Sequence, residues 1–337
     1  MPIVVDNHRS IAINDRSSIG EARRIAVVMA ERGKLKEDAC SRVALITTEL
    51  ATNILLHAQN GEILLRILPV EWGPGLEIIA LDHGPGISNL KRCMSDGYST
   101  RGTRGCGLGA VQRLSSDFDI YSSQPQGTVV LSRVRTYQKS LADLEFSALS
   151  VPAPGETECG DAWHLRKIDG CLWTMVVDGL GHGPLAAAAA AEAVRLFSEN
   201  SLKTPLGYLE AAHLGLQSSR GAALAVAEID FSLHELHYAA VGNIVSSIVA
   251  PAGGSRSLVS YNGIVGAQVR KLQQFDYKWH EGDLLIMHSD GISARWKLDQ
   301  NPGIALADTG LIAALLYRDG KRGRDDTTVL VVRLQHS

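Results

Sequence analysis

Apolar and polar positions in the first 135 residues change period four times. Ile3–Val5 and Ile11–Ile13 are short apolar runs that read as edge strands. Ser18, Ile19, Gly20 and Glu21 have capping-box spacing, and Ile25, Val28 and Met29 form an apolar face behind them. This predicts a helix over 18–31, ended by Gly33. A longer helix is predicted over 36–57, with Ala39, Val43, Ile46 and Leu50 on its core face. Gly61–Leu68 and Leu76–Leu81 read as strands joined through Trp72-Gly73-Pro74-Gly75. An irregular polar stretch over 88–104 leads to a glycine-rich box, a short helix over 110–115 and a strand over 129–134.

Beyond a joint near 138–147 the pattern is richer in strands. Leu144–Val151 reads as the first. Ala162–Ile168 and Cys171–Val177 form a hairpin turned by Asp169-Gly170. An alanine-rich helix over 184–199 reads as tight packing against a sheet, and 206–217 as another helix. Strands follow over 223–229, 233–241, 244–250, 257–261, 273–279 and 283–288. A helix over 308–317 and a strand over 327–334 close the pattern. Length and the joint together predict two α+β domains, residues 1–140 and 141–337.

Composition narrows the function classes. Apolar content of 45% and charged content of 20% fit a soluble globular protein. A net charge of −3, without a basic block, argues against nucleic acid or membrane as partner. No basic-then-apolar leader opens the chain, and Ala186–Ala191 is too short and weak for a membrane span, so a cytoplasmic location is expected. Five cysteines show no metal-ligand spacing and read as free thiols, with Cys106 and Cys159 as small fillers.

The chemistry of the second half centres on Val176-Val177-Asp178-Gly179-Leu180-Gly181-His182-Gly183. An apolar strand ends in a carboxylate, and glycines follow that let backbone approach a cation. A lone Asp-Gly would be a turn cap. Here Ser289-Asp290-Gly291 and Asp325-Asp326-Thr327-Thr328 repeat the pattern, and Gly160-Asp161 opens the hairpin. Such carboxylates repel unless a multivalent cation neutralises them, and oxygen donors suit Mg²⁺ or Mn²⁺. With Ala240-Val241-Gly242-Asn243, the ordered set resembles the PPM-type metal-dependent serine/threonine phosphatases of the SpoIIE/RsbX-like branch. The resemblance implies an α-β-β-α four-layer sandwich. It also implies a two-metal Mn²⁺ or Mg²⁺ site from Asp161, Asp178, the Gly179 carbonyl, Asp290 and Asp325, with Asp178 and Asp290 central to catalysis. Motif position favours Asp325 over Asp326. Asn243 is either conformational or faces the site, and His182 is an acid or a loop stabiliser. Arg166 and Arg220 lie far from any motif, so the sequence assigns neither to the substrate phosphate.

In the first half, Glu49 and Asn53 share one side of their helix. Asp82-x-Gly84-x-Gly86, then Gly105-x-Gly107-x-Gly109, then Gly127-Thr128 follow in order. Glycine-rich backbone at a helix start suits phosphate, but the spacing fits neither a dinucleotide fingerprint nor a Walker loop. With Asp96-Gly97-Tyr98-Ser99-Thr100, the set resembles the GHKL (Bergerat) ATPases, within them the RsbT-type serine kinases and anti-sigma factors. The resemblance implies an α/β sandwich binding ATP with Mg²⁺. Asp82, in its motif with Gly84 and Gly86, would meet adenine, and Thr128 would lie near the base. Asn53 would ligate Mg²⁺, Gly105, Gly107 and Gly109 would approach phosphates, and Glu49 would be the general base. Its implied partners are STAS-domain switch or scaffold proteins, a sigma factor or its regulator, and a second copy of the chain in a homodimer. Together the halves imply a bifunctional serine/threonine kinase and phosphatase. The alternative is a nucleotide-binding partner module gating a fused phosphatase without kinase turnover.

Overall fold

The computed structural model describes residues 7–69, 73–94, 107–137, 144–199 and 203–334. Two compact units result, one within residues 8–141 and the other mainly within 142–337. The core of the predicted joint, 138–143, and the predicted strand Ile3–Val5 lie outside the described residues.

The first unit runs β1 (Arg9–Ile13), α1 (Arg16–Arg32), α2 (Glu37–Asn53), β2 (Gly61–Leu68), β3 (Gly75–Asp82), α3 (Leu90–Cys93), α4 (Leu108–Leu114), β4 (Asp117–Ser123) and β5 (Gly127–Arg135). Its antiparallel sheet has the order β1-β2-β3-β5-β4, and α1, α2 and α4 pack on it. Ala26, Val43, Ile46 and Leu50 from the helices meet Ile63, Leu65, Ile78 and Val130 from the strands in the core between them.

Helix α1 begins earlier than the sequence suggests. Asp15 caps it, accepting the Ser18 N–H at 2.9 Å, while the Ser18 hydroxyl bonds back to the Asp15 carbonyl at 2.7 Å. Ser18 therefore fills the third position of a capping box, not the first. Helix α2 ends at Asn53, and Ile54–Ala58 continues as one π turn. By length and composition alone the 22 residues Glu37–Ala58 would pass for a membrane span. Here their apolar face is the core of the sandwich. Strand β4 is not evident in the sequence, because only Phe118 and Ile120 alternate toward the core. Arg66, Glu77 and Arg133 stand in register on β2, β3 and β5. Glu77 accepts from Arg66 and from Arg133, each at 2.7 Å, with His8 at 3.2 Å. Burial works against its charge, yet the two guanidinium groups hold the carboxyl well below the usual range.

The second unit runs β6 (Leu144–Val151), β7 (Asp161–Ile168), β8 (Cys171–Gly179), α5 (Pro184–Glu199), α6 (Pro205–Gly215), β9 (Ala222–Asp230), β10 (Glu235–Val241), β11 (Val245–Val249), β12 (Ser255–Ser257), β13 (Gly263–Ile264), β14 (Gln268–Val269), β15 (Gln274–Lys278), β16 (Leu284–His288), α7 (Thr309–Gly320) and β17 (Thr327–Leu334). Two five-stranded sheets have the orders β15-β10-β9-β8-β7 and β12-β11-β16-β17-β6. Helices α5 and α6 cover the first and α7 the second, and β6 and β17 contact β7 between the sheets. This is a four-layer α-β-β-α sandwich. The β7–β8 turn uses positive φ at Asp169 (49°) and Gly170 (84°), as a tight hairpin with right-handed strand twist requires. Helix α5 lies so close to β8 that a Cβ on Gly179 would fall 2.2 Å from the Ala186 carbonyl oxygen. Its buried Ala186, Ala189, Ala190 and Ala193 make that approach. The expected strand over 257–261 is replaced by β12 at Ser255–Ser257. The β13–β14 hairpin, two residues a side, is too short for any period to show.

Candidate metal centre and nucleotide site

Asp161 opens β7 and Asp178 lies near the end of β8, opposite each other in the strand register. In the other sheet, Asp290 follows β16 and Asp325 precedes β17, and these strands pair antiparallel. Ser289 ties the two sheets together. Its hydroxyl donates to Asp161 Oδ2 at 2.6 Å and accepts the Thr328 N–H at 3.0 Å. Burial, then the charges of Asp290, Asp325 and Asp326, push the Asp178 carboxyl up to about 8. Burial and Asp178 push Asp161 well above its ordinary value, although the Ser289 hydrogen bond acts the other way.

The structure therefore gathers Asp161, Asp178, Asp290 and Asp325, with Gly179 beside them at the end of β8. Among the described residues, no three His, Cys, Asp or Glu side chains are drawn into a ready coordination sphere. Their like charges repel, which keeps the carboxylates from closing on one another. None of the four forms an ion pair among the described residues. An all-oxygen, mutually repelling donor set of this kind fits a hard divalent cation.

Asp326 has a different task. Its Oδ1 accepts the Ala153 N–H at 2.8 Å and its Oδ2 the Gly160 N–H at 2.9 Å. Among the described residues, the Asp325 carboxylate accepts only the N–H of Asp326, at 2.9 Å. Asn243, left open by the sequence, faces the cluster, and its Nδ2 donates to Asp290 Oδ2 at 2.7 Å. His182 Nδ1 lies 2.8 Å from Glu156 Oε1, a contact that holds its loop. Arg166 donates to the Phe197 carbonyl at 2.6 Å. Behind Ser289 sits His288. Trp296 donates to its Nε2 at 2.9 Å, so Nδ1 carries the proton and donates to the Ser289 carbonyl at 2.8 Å. Burial lowers the proton affinity of this neutral imidazole. Ser289, His288 and Glu156 join no local sequence period, so only tertiary pairing reveals their parts.

In the first unit, Asp82 ends β3. Its Oδ1 accepts the Gly84 N–H at 2.8 Å and the Thr128 N–H at 3.2 Å. Gly127 takes φ +103°, and a Cβ there would lie 2.1 Å from the Asp82 carbonyl oxygen. Gly86 takes φ +72° against the Ser123 carbonyl. The Thr128 hydroxyl meets Ser122 Oγ at 2.9 Å. Glu49 and Asn53 lie one turn apart on α2, both half-buried, and burial raises the Glu49 carboxyl. Gly107 caps α4 with open space where a Cβ would stand, and Gly109 packs on the Met94 carbonyl. Gly105 and the segment Asp96–Thr100 lie outside the described residues.

Comparison with known proteins assigns each unit. Residues 14–133 match the histidine kinase-like ATPase domain family. Residues 168–335 match the Stage II sporulation protein E (SpoIIE) family. Serine/threonine-protein kinase RsbT of Bacillus subtilis (strain 168) is 40% identical over 90 residues, covering 27% of this chain and 68% of RsbT. Phosphoserine phosphatase RsbX of the same organism is 26% identical over 139 residues, 41% of this chain and 70% of RsbX. The chain is an RsbT-like ATPase domain fused to a SpoIIE/RsbX-like PP2C phosphatase domain. The crystal structure of RsbX in complex with magnesium shares the PP2C fold, with TM-score 0.51 and 22% identity over 58% of this chain and 98% of its own. A solved chain from the bacterial stressosome, a modular system adapted to control secondary messenger signalling, aligns with TM-score 0.52. It is 30% identical over 56% of this chain and 99% of its own.

Proposed function

We propose that this protein is a bifunctional switch enzyme acting on serine or threonine of a STAS-type partner in a stress or sigma-factor circuit of the cytoplasm. The RsbT-like domain adds phosphate from ATP, and the PP2C domain removes it. The observation that carries the phosphatase half is the placement of Asp161 and Asp178 at facing strand ends of one sheet and of Asp290 and Asp325 at those of the other, tied together by Ser289. Asp161, Asp178, Gly179, Asp290 and Asp325 are the residues that would hold two Mn²⁺ or Mg²⁺, which when bound supply an acidified water and neutralise phosphate charge. The chain's own part is to fix these donors. Ser289 holds Asp161, Asn243 holds Asp290, and Asp326 closes the backbone around them.

In the ATPase domain, Asp82 and Thr128 form the base-recognising corner, with Gly84 and Gly86 allowing its tight turn. Asn53 is the residue that would hold Mg²⁺ with ATP, and Gly105, Gly107 and Gly109 would approach its phosphates. Glu49, made more basic by burial, takes the proton from the partner's hydroxyl. The likeness to RsbT and to a stressosome chain supports the STAS-type partner.

The test is phosphate release from a generic phosphoester with and without Mn²⁺, for wild type and Asp178→Asn, each repeated with an ATP analogue. Metal-dependent release that the substitution abolishes supports the reading, and no release under any metal overturns the phosphatase half. Transfer from ATP to a STAS-domain substrate tests the other half. If Glu49→Gln leaves partner control unchanged, the first domain works as a nucleotide-binding module.

A further inference from the structure

Helix α2 carries an exposed stripe beside its core face. Leu45, Glu49 and Thr52 follow the i, i+4, i+7 spacing of a single helix face, and the π turn that extends α2 brings Leu56 next in line. Leu45 is 55% exposed and Leu56 37%, whereas Ile46, Leu50 and Ile54 beside them are buried. Between the two leucines stand Thr48, Glu49 and Thr52, all half-buried. Thr48 commits its hydroxyl to the Ala44 carbonyl and Thr52 to the Thr48 carbonyl, each at 2.7 Å, so both donors are satisfied within the helix. Arg42, at the N-terminal end of the stripe, donates to the Leu114 carbonyl at 3.2 Å and pairs with Asp38 at 3.3 Å. Glu49 forms no hydrogen bond or ion pair among the described residues. The stripe is thus apolar at both ends, with one unpaired carboxylate between them.

We infer that Leu45 and Leu56 select the segment of the STAS-type partner that carries the acceptor serine or threonine, by seating apolar side chains that flank its hydroxyl. This rests on the kinase reading of Glu49 above. A base must come within hydrogen-bond reach of the proton it takes, so the acceptor hydroxyl has to lie over Glu49. Leu45 stands one turn, about 6 Å, to one side of it and Leu56 about two turns to the other. A short segment crossing Glu49 therefore meets a leucine on either side. Between the leucines the only charge is that of Glu49, which suits an acceptor flanked by apolar residues. A second copy of the chain fits the stripe worse, because a twofold contact through it would set Glu49 against Glu49. Apolar side chains seated on the leucines also withdraw water from Glu49, which makes it a stronger base once the acceptor is in place.

The test uses the full-length protein with Mg-ATP and a STAS-domain substrate, taking Asp178→Asn as the parent so that phosphate once added is not removed. Leu45→Ser and Leu56→Ser should each raise KM for the STAS-domain substrate roughly tenfold, with kcat changed less. Leu45→Met should recover most of the loss, since it restores an apolar side chain of similar volume. Kd for ATP by calorimetry and the melting temperature should stay at the parent's values, which a merely structural role for the leucines would move. An active parent with unchanged KM in both serine variants overturns the inference alone. So does a KM rise that tracks the loss of a dimer in analytical ultracentrifugation, since a second copy would then occupy the stripe. A parent that transfers no phosphate to any STAS-domain substrate overturns the kinase reading and this inference with it.

Discussion

The N–H of Asp326 donates to Oδ1 of Asp325 at 2.9 Å, so the residue that clamps the backbone also steadies the carboxylate before it. Asp326 reaches Ala153 and Gly160 with its two oxygens and fastens the start of the PP2C domain to the approach of β17.

These neighbours should therefore fail differently. Asp325→Asn should abolish metal-dependent phosphatase activity while changing stability by less than about 1 kcal/mol. Asp326→Ala strands two buried N–H groups and should cost about 2–4 kcal/mol. Urea unfolding monitored beside phosphate release separates the two outcomes. Equal loss of stability in both variants would refute the division of labour.

Asp178 makes the metal-free PP2C domain sensitive to alkali. Its folded value, raised to about 8, lies above the ordinary carboxylate value of the unfolded chain. The folded state then holds a proton that the unfolded state has released. Stability from this group is full below the unfolded value and is lost as pH rises through about 8. In chelator, the melting temperature of this domain should fall between about pH 5 and 8, and Asp178→Asn should flatten that slope. Mn²⁺ binding at neutral pH should release protons, as calorimetry in buffers of different ionisation enthalpy would show.

Asn243 orients Asp290 from an exposed position. Asn243→Ala should lower metal affinity or kcat by roughly 10–100-fold, the usual effect of removing a group that aims a metal ligand. The thermal transition should hardly move. Wild-type kinetics in this variant would make the 2.7 Å contact incidental.

Glu77 is the buried counter-charge of the ATPase sheet. Glu77→Gln leaves Arg66 and Arg133 facing each other without a carboxylate and should destabilise that domain by roughly 3–5 kcal/mol. Because the folded value is depressed, the stability Glu77 confers is present above the unfolded carboxylate value. It is lost as pH falls through the folded value, so acid should unfold the wild type toward the variant's level. Chemical denaturation at neutral and acid pH reads both effects.

What the sequence discloses is what local chemistry dictates. Asp169-Gly170 needs positive φ at both positions, so the β7–β8 hairpin and the places of Asp161 and Asp178 follow from a few letters. Gly61–Leu68 is found with its predicted bounds because its apolar run is bounded by turn residues. The alanine face of α5 likewise foretells close helix-to-sheet packing. The helix start at Asp15 is lost because Ser18 presents the same hydroxyl chemistry three residues on. The contact of Asn243 with Asp290 spans 47 residues, and that of Asp326 with Ala153 spans 173. Strand register sets these contacts. No local period encodes such a register.

Strand β17 lies between β16 and β6 in its sheet, although more than a hundred residues of chain separate it from β6. During synthesis β6 leaves the ribosome long before the strand that will flank it. Until β17 arrives with Asp325 and Asp326, the domain has an open sheet edge and an incomplete carboxylate cluster. A chain arrested before residue 325 thus carries the ATPase domain complete but the PP2C domain without two of its carboxylates and its closing strand.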